Sequence, residues 1–292
     1  MSIPFKIDFL GLGPAKAGTT WIGHMLESHP QICMAEPKEV HFFNDSLSFN
    51  GSFSESHFPL GLDWYKNFYK HCASGTIKGE FTPRYILDPV VPERIFQHNP
   101  DMKLIVCLRP PFQRIVSHYH SVRDYHHKEP RAISVAIREE PEYLDACMYY
   151  RNISRFLKYY KLENFFFADL EEIKTNPREL VRRLYTFLEV DPEFIPSTID
   201  KKSNPARRTR SEWFWQYSWK AHRKVVEMGF SPLIRTLKTM GVGRLVNRLN
   251  SGKIEIVKLA PEDKAFISER LQEDVTQFGK LLNKDFSHWL KV

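Results

Sequence analysis

Through the first two thirds of the chain, short apolar runs alternate with longer stretches whose apolar positions recur every three or four residues. Four of the runs predict strands: Phe5–Leu12 (FKIDFLGL), Thr76–Glu80 (TIKGE), Lys103–Leu108 (KLIVCL) and Phe165–Ala168 (FFFA). KLIVCL is apolar at successive rather than alternate positions, the pattern of a strand covered on both faces of a parallel sheet. Helices are predicted at Thr19–Ser28, Phe112–Tyr125, Leu144–Tyr160, Pro177–Leu188 and Pro261–Leu282. This alternation predicts an α/β fold, a mostly parallel central sheet flanked by helices on both faces. In such sheets ligands sit beyond the carboxyl ends of the strands. Residues 201–258 break the pattern: Trp213, Trp215 and Trp219 stand among many basic residues, interrupted by Pro232, Gly241 and Gly243. That segment reads as a basic, Trp-rich helical lid or subdomain within one domain, 1–292.

Composition narrows the picture. At 42% apolar over 292 residues the chain can fill one sizeable core, which excludes a disordered chain. The opening MSIPFKIDFLGLG has no long apolar stretch, and no run approaches the roughly 18 apolar residues of a membrane span. A cytoplasmic location is therefore expected. The cysteines, Cys33, Cys72, Cys107 and Cys147, form no CxxC pair and no zinc spacing with histidine, so free thiols and no metal are expected. Net charge is +7, yet 201–258 alone holds 14 Lys/Arg against 3 Asp/Glu, so the basic character is local. It implies an anionic ligand or surface at that segment, or a solvated helical face.

Two motifs carry chemistry. The first strand ends in Gly11-Leu12-Gly13-Pro14-Ala15-Lys16-Ala17-Gly18-Thr19-Thr20-Trp21. A strand, a glycine turn and a helix start present free N–H groups and the positive end of a helix dipole to an anion. Gly13 and Gly18 match the spacing of a P-loop, so the domain is P-loop-like, but Thr19 stands where the nucleotide-triphosphate loop has its lysine. The one lysine, Lys16, precedes Gly18 and reaches from the loop, which suits a shorter anionic chain than ATP. The second motif lies in LIVCLRPPFQRIVSHYHSVR: Arg109 ends a buried strand, and Ser117 follows in the next helix. A guanidinium and a hydroxyl so placed can hold one phosphate. Each motif alone also has a plain structural reading, a tight turn for one and a strand-end arginine paired with a carboxylate for the other.

Together the motifs resemble the PAPS-dependent sulfotransferase family (PAPS is 3′-phosphoadenosine 5′-phosphosulfate). PAKAGTTW looks like that family's 5′-phosphosulfate loop, and Arg109 with Ser117 matches its 3′-phosphate pair. The resemblance implies that Lys16, Ala17, Gly18, Thr19 and Thr20 hold the 5′-phosphosulfate, with Trp21 either beside the adenine or packed in the core. SNPARRTR resembles the basic loop that closes over PAPS, which makes Arg207, Arg208 and Arg210 candidate clamps. KEVHFF followed by LDWY is similar to the bacterial and heparan-sulfate-type branch. By that likeness Glu39 is the general base. In an extended segment His41 points to the same side and pairs with Glu39 or replaces it. Lys16 then stabilises the leaving phosphate. Likeness to the branch also places Glu80 and Arg84 at the acceptor.

One departure matters. Heparan-type members often carry Glu-Lys-Thr/Ser-Pro after the second strand, whereas this chain reads Glu80-Phe81-Thr82-Pro83-Arg84-Tyr85. Phe81 carries no charge, so either Arg84 compensates or the acceptor pocket differs, and a small molecule or glycolipid joins carbohydrate as the expected acceptor. Sulfation of oxygen and of nitrogen both stay open. Asn44–Leu62 and Asp124–Tyr149 are expected to build the acceptor pocket. By the same likeness PAPS is a co-substrate, leaving as adenosine 3′,5′-bisphosphate, and no metal is needed. Two other readings compete. One is a P-loop kinase or NTPase. The other is a non-enzymatic protein whose basic segment meets an anionic membrane surface; peripheral contact of that kind is also compatible with catalysis. No nucleic-acid recognition module is present in the basic run.

Overall fold

A computed structural model describes residues 5–45, 47–49, 52–54, 56–200, 208–209, 251–252 and 257–291. The central sheet has five strands: β1 (Phe9–Gly13), β2 (Ile32–Met34), β5 (Ile77–Phe81), β6 (Lys103–Leu108) and β7 (Phe165–Asp169). Their order is β2-β5-β1-β6-β7, and every pairing is parallel. Between β2 and β5 lies a small antiparallel hairpin of β3 (Leu47–Phe49) and β4 (Ser52–Ser54). A second short pairing joins β8 (Arg208–Thr209) to β9 (Ser251–Gly252).

β6 shows why the sheet forms as it does. Leu104, Val106 and Leu108 enter one core, while Ile105 and Cys107 enter the other. The first core is closed by α3 (Val91–His98), α4 (Pro111–His120), α7 (Tyr149–Phe156) and the long carboxyl-terminal helix α10 (Pro261–Leu282). The second is closed by α1 (Thr19–Ser28) and α9 (Pro177–Leu188). Three shorter helices, α5 (Ile133–Glu139), α6 (Glu142–Asp145) and α8 (Leu170–Thr175), fill in along the way, and α2 (Gly61–Lys66) precedes β5. Alternate burial of a continuously apolar strand on two helix-covered faces is the doubly covered parallel sheet that the pattern predicts.

Four of the five predicted helices are recovered in place or nearly so. The segment predicted as a helix over Leu144–Tyr160 is instead the end of α6, a bend, and then α7, because Cys147 and Met148 turn back in single-turn hydrogen bonds. The predicted helix Phe112–Tyr125 ends as α4 at His120 and widens into a π-turn over Ser121–Tyr125. β2 has only three residues and no apolar run long enough to announce it. The predicted first strand starts later, at Phe9. Most of the predicted lid lies outside the described residues.

The cysteine expectation is corrected. Cys33 and Cys72 are joined in a disulfide, and only Cys107 and Cys147 are free, both buried. The pair is 39 residues apart in sequence, but the chain after α2 runs beside the β2 exit, where Glu36 N–H donates to Phe68 O. No local spacing encodes that proximity.

One titration follows from the packing at the start of β1. His98 Nε2 accepts the Ile7 N–H at 3.2 Å, so the ring is held neutral there. Burial, and then Lys6, push its pKa down from 6.5 to about 4. A histidine depressed in the folded state contributes stability that is complete above pH 6.5 and is lost as pH falls toward 4. Urea unfolding across that window is expected to lose up to about 3 kcal/mol from this group. His98→Gln keeps an acceptor and lacks the titrating ring, so it should flatten that limb. An identical slope in the variant would remove His98 as its source.

Candidate active site

Because the strands are parallel, their carboxyl ends share one edge, and the candidate residues gather along it. In sheet order they are Glu39 and His41 after β2, Glu80 and Arg84 at the end of β5, Lys16 after β1, and Arg109 directly after β6. Ser117, half-buried, lies in α4 just beyond.

The phosphate loop is built by backbone shape. β1 ends at Gly13 with φ +102°, where an added Cβ would lie 2.2 Å from the Pro83 carbonyl oxygen, so no side chain fits. Lys16 (φ +70°) and Gly18 (φ +101°) then turn the chain into α1. The N-cap residue of α1 is Gly18, which has no side chain to cap it. Its leading N–H groups and positive dipole end therefore face whatever the loop encloses. Ala17 and Thr19 are buried, so Ala17 offers the loop backbone only. Trp21 is 5% exposed, packs in the core beneath α1, and donates its indole N–H to Ile199 O at 3.3 Å.

Arg109 joins the two motifs. Its Nη1 donates to Lys16 O at 2.7 Å, across 93 residues of sequence. Its main chain is clamped by the Tyr149 hydroxyl, which accepts from Arg109 N–H and donates to Arg109 O. Nε is buried and has no hydrogen-bond partner among the described residues, and no carboxylate pairs with the guanidinium there. Burial pushes the Lys16 ammonium pKa down, Arg109 pushes it further, and Glu39 opposes both. Burial likewise lowers that of Arg109. Two partly buried cations held together in mutual repulsion form a place that an anion stabilises.

Glu39 is exposed and pairs with Lys38 at 3.1 Å. Its charge acts on both Lys16 and His41, so the three predicted catalytic groups share one electrostatic neighbourhood. His41 has φ +58° and lies 3.3 Å, through Nδ1, from Asn44 Oδ1. With the Nδ1 proton donated to Asn44, Nε2 is left as an acceptor. Burial pushes the His41 pKa down, which keeps that nitrogen free of a proton near neutrality.

The two expected acceptor contacts are placed differently. Glu80 is 0% exposed and both its oxygens are filled by donors from the protein itself. Arg84 donates from Nη1 and Nη2 to the two oxygens of Glu142, at 3.0 and 2.9 Å, while its charge still acts on His41 and His118. Phe81 packs its ring over Gly11, and the Lys38 ammonium stands 5.3 Å above that ring, so a cation does occupy the region where position 81 has none.

Sequence reasoning missed Arg114, His118 and Glu142. Arg114 is fully buried, with Nε on Cys147 Sγ at 2.9 Å and Nη2 on Tyr143 O at 2.5 Å. His118 Nε2 lies 3.8 Å from Glu142 Oε1, and burial, Arg114 and Lys16 hold its ring well below the ordinary histidine range. Arg114 and His118 sit four apart on a helix face that the pattern reserves for the core, which is their sequence signal. Glu142 has none.

Arg207 and Arg210 lie outside the described residues. The main chain of Arg208 pairs with Gly252, and this short strand lies against Ser121–Tyr125 at the end of α4. Two surface cavities, about 470 and 300 Å³, lie elsewhere, the first between α5 and the start of α10 around Arg138 and Asp263, the second beside α9 around Arg178 and Phe194, and none of the site groups lines them. Among the described residues one cluster offers metal-ligand atoms, Cys33, His71 and Cys72, but its two sulfurs are bonded to each other.

A five-stranded parallel sheet with a glycine-led helix start, a loop lysine and a partly buried strand-end arginine on one edge defines an α/β phosphate-loop arrangement whose cationic edge suits an anionic group. Comparison with known proteins gives the family. The sulfotransferase domain matches residues 6–235, so the chain belongs to the sulfotransferase family. Heparan sulfate glucosamine 3-O-sulfotransferase 5 of Mus musculus is 27% identical over 192 residues, which is 62% of this chain and 53% of that protein. The bifunctional heparan sulfate N-deacetylase/N-sulfotransferase 2 of Bos taurus is 29% identical over 201 residues, covering 63% of this chain and 22% of that protein. The chain thus matches about half the length, or less, of these curated relatives. A sulfotransferase crystal structure from Alicyclobacillus acidocaldarius shares the fold over 98% of this chain and 100% of its own, with a TM-score of 0.69 at 19% identity.

Proposed function

We propose that this protein transfers a sulfuryl group from PAPS to a hydroxyl or amine, releasing adenosine 3′,5′-bisphosphate. The observation that carries this reading is the Arg109–Lys16 junction, one partly buried, incompletely paired guanidinium bonded to the phosphate loop itself. A donor with anionic groups at both the 5′ and 3′ positions matches two linked anion sites better than a triphosphate chain does. PAPS supplies the activated sulfuryl group and a leaving phosphate. Lys16, Gly18, Thr19 and Thr20 hold the 5′ end, Arg109 and Ser117 hold the 3′-phosphate, and the basic segment around Arg207, Arg208 and Arg210 covers the nucleotide.

In the transfer, Glu39 takes the acceptor proton as the acceptor atom bonds to sulfur, and the bond from sulfur to the bridging phosphate oxygen breaks. Lys16 then meets the charge that grows on the phosphate, an interaction strongest in the transition state. His41, neutral and with Nε2 open, is the second candidate base. The named chemistry of the relatives, 3-O- and N-sulfation of glucosamine, supports an amino-sugar hydroxyl or amine as the first acceptor to test. The Cys33–Cys72 bond supports an oxidising compartment over the cytoplasmic expectation, since such bonds persist there.

Thermal stabilisation by adenosine 3′,5′-bisphosphate, AMP and ATP–magnesium at equal concentration tests the donor reading. A ligand that binds only the folded state raises the melting temperature by mass action. The bisphosphate should give the largest shift. A shift with ATP–magnesium alone would favour the kinase reading instead.

A further inference from the structure

We propose that Glu80, acting with the Tyr85 hydroxyl, is the positioning device that fixes Glu39 and His41 against the phosphate loop. The inference rests on the reading of Glu39 as the base. It starts from an accounting of backbone hydrogen bonds. Residues 38–43 form no strand, yet Val40, Phe42 and Phe43 are buried, so their N–H groups need partners. Side chains supply them. Val40 N–H donates to Glu80 Oε2 at 2.9 Å, and Phe42 and Phe43 N–H both donate to the Tyr85 hydroxyl, at 2.8 and 3.2 Å. On the other side, Phe81 N–H donates to Lys38 O at 3.1 Å. Glu39 is therefore bracketed by main-chain anchors at residues 38 and 40, both reaching into the Glu80–Phe81 pair. Its own side chain is exposed and pairs only with its neighbour Lys38 among the described residues, so the bracket decides where it stands.

Hydrogen-bond directions around Glu80 are forced. The Tyr85 hydroxyl already accepts two N–H groups, so its single proton goes to Glu80 Oε1, at 2.7 Å. Tyr65 donates to the same oxygen at 2.7 Å, and Thr82 donates to Oε2 at 2.7 Å. With Val40 that makes four donors on one carboxylate, which acts as acceptor only. Burial pushes the Glu80 pKa up, and the hydrogen bonds from Thr82, Tyr65, Tyr85 and Val40 work against it. No cation pairs with Glu80 among the described residues. A buried carboxylate without a counter-ion is costly, and its donors tie together a helix, a turn and the base-bearing segment.

The same short stretch also abuts the donor loop. Thr82 N–H donates to Gly11 O at 3.0 Å, and the Pro83 carbonyl oxygen would lie 2.2 Å from a Cβ on Gly13. Residues 80–85 thus touch the base segment on one side and the phosphate loop on the other. A shift there changes the distance between base and donor, and misplacement by an ångström is enough to cost on the order of 100-fold in rate.

The test is a double-mutant cycle. Glu80→Gln and Tyr85→Phe are each made alone and with Glu39→Gln. PAPS cleavage is followed as bisphosphate release in the presence of heparan sulfate oligosaccharide, and bisphosphate Kd is measured separately. Glu80→Gln should lower kcat by about tenfold or more with bisphosphate Kd unchanged within about twofold. It should have no further effect when Glu39 is already Gln, because coupled groups are not additive. Tyr85→Phe should move kcat the same way by less. Equal losses in both backgrounds, or a donor Kd that weakens in step with kcat, would overturn the positioning role. Full turnover in Glu39→Gln alone would instead remove the base assignment. If Glu80→Gln binds no bisphosphate because it does not fold, Tyr85→Phe, which deletes one oxygen and keeps the carboxylate, decides the question by the same criteria.

Discussion

Arg109→Ala is expected to weaken adenosine 3′,5′-bisphosphate binding by roughly 100- to 1,000-fold while weakening AMP far less. The magnitude follows from two or more charge-assisted hydrogen bonds to one phosphate, about 1.5–3 kcal/mol each, in a partly desolvated site. AMP lacks the 3′-phosphate, so it loses only the indirect part, the support that Arg109 Nη1 gives to Lys16 O. Titration calorimetry on both nucleotides separates the two. Equal losses would mean that Arg109 serves the shape of the loop rather than the 3′-phosphate. Ser117→Ala should reproduce the pattern at about a tenth of the size or less, as expected for a neutral hydroxyl donor.

Glu39→Gln is expected to lower kcat by about 100- to 10,000-fold, the usual range for loss of a general base, with bisphosphate affinity unchanged. Glutamine keeps the size and polarity of the side chain and removes only its ability to take a proton. The pairing with Lys38 is exposed, so little folding stability should be lost with it. His41→Gln is the necessary companion. If it carries the large loss and Glu39→Gln the small one, His41 Nε2 is the base and Glu39 serves to tune it, an interaction already visible in the upward pull of Glu39 on the His41 pKa.

How much of this was readable in the chain depends on whether the information was local. KLIVCL announces a strand buried on both faces because the five residues after Lys103 are all apolar, and Lys103–Leu108 is recovered without change. The phosphate loop is equally local, since glycine spacing, a helix start and one lysine all lie in eleven consecutive residues. The hydrogen bond from Arg109 to Lys16 is not local, but two independent motifs at strand ends of one parallel sheet converge by topology. Glu80 is the opposite case. Likeness to the family makes it an acceptor contact, and only residues 40, 65, 82 and 85 reveal that its oxygens are already filled. The ion pair of Arg84 is equally hidden along the chain, its partner Glu142 lying 58 residues away. The Cys33–Cys72 bond and the three-residue strand β2 carry no periodic signal at all.

The most direct measurement is sulfuryl transfer itself. The protein is incubated with ³⁵S-labelled PAPS and a panel of heparan sulfate oligosaccharide, a glycolipid and a phenol, and both label and nucleotide are followed. The predicted result is label moved onto an acceptor with one bisphosphate released per sulfate transferred, lost in Glu39→Gln and in Lys16→Ala. Intact PAPS across the panel, together with magnesium-dependent turnover of ATP, would contradict it.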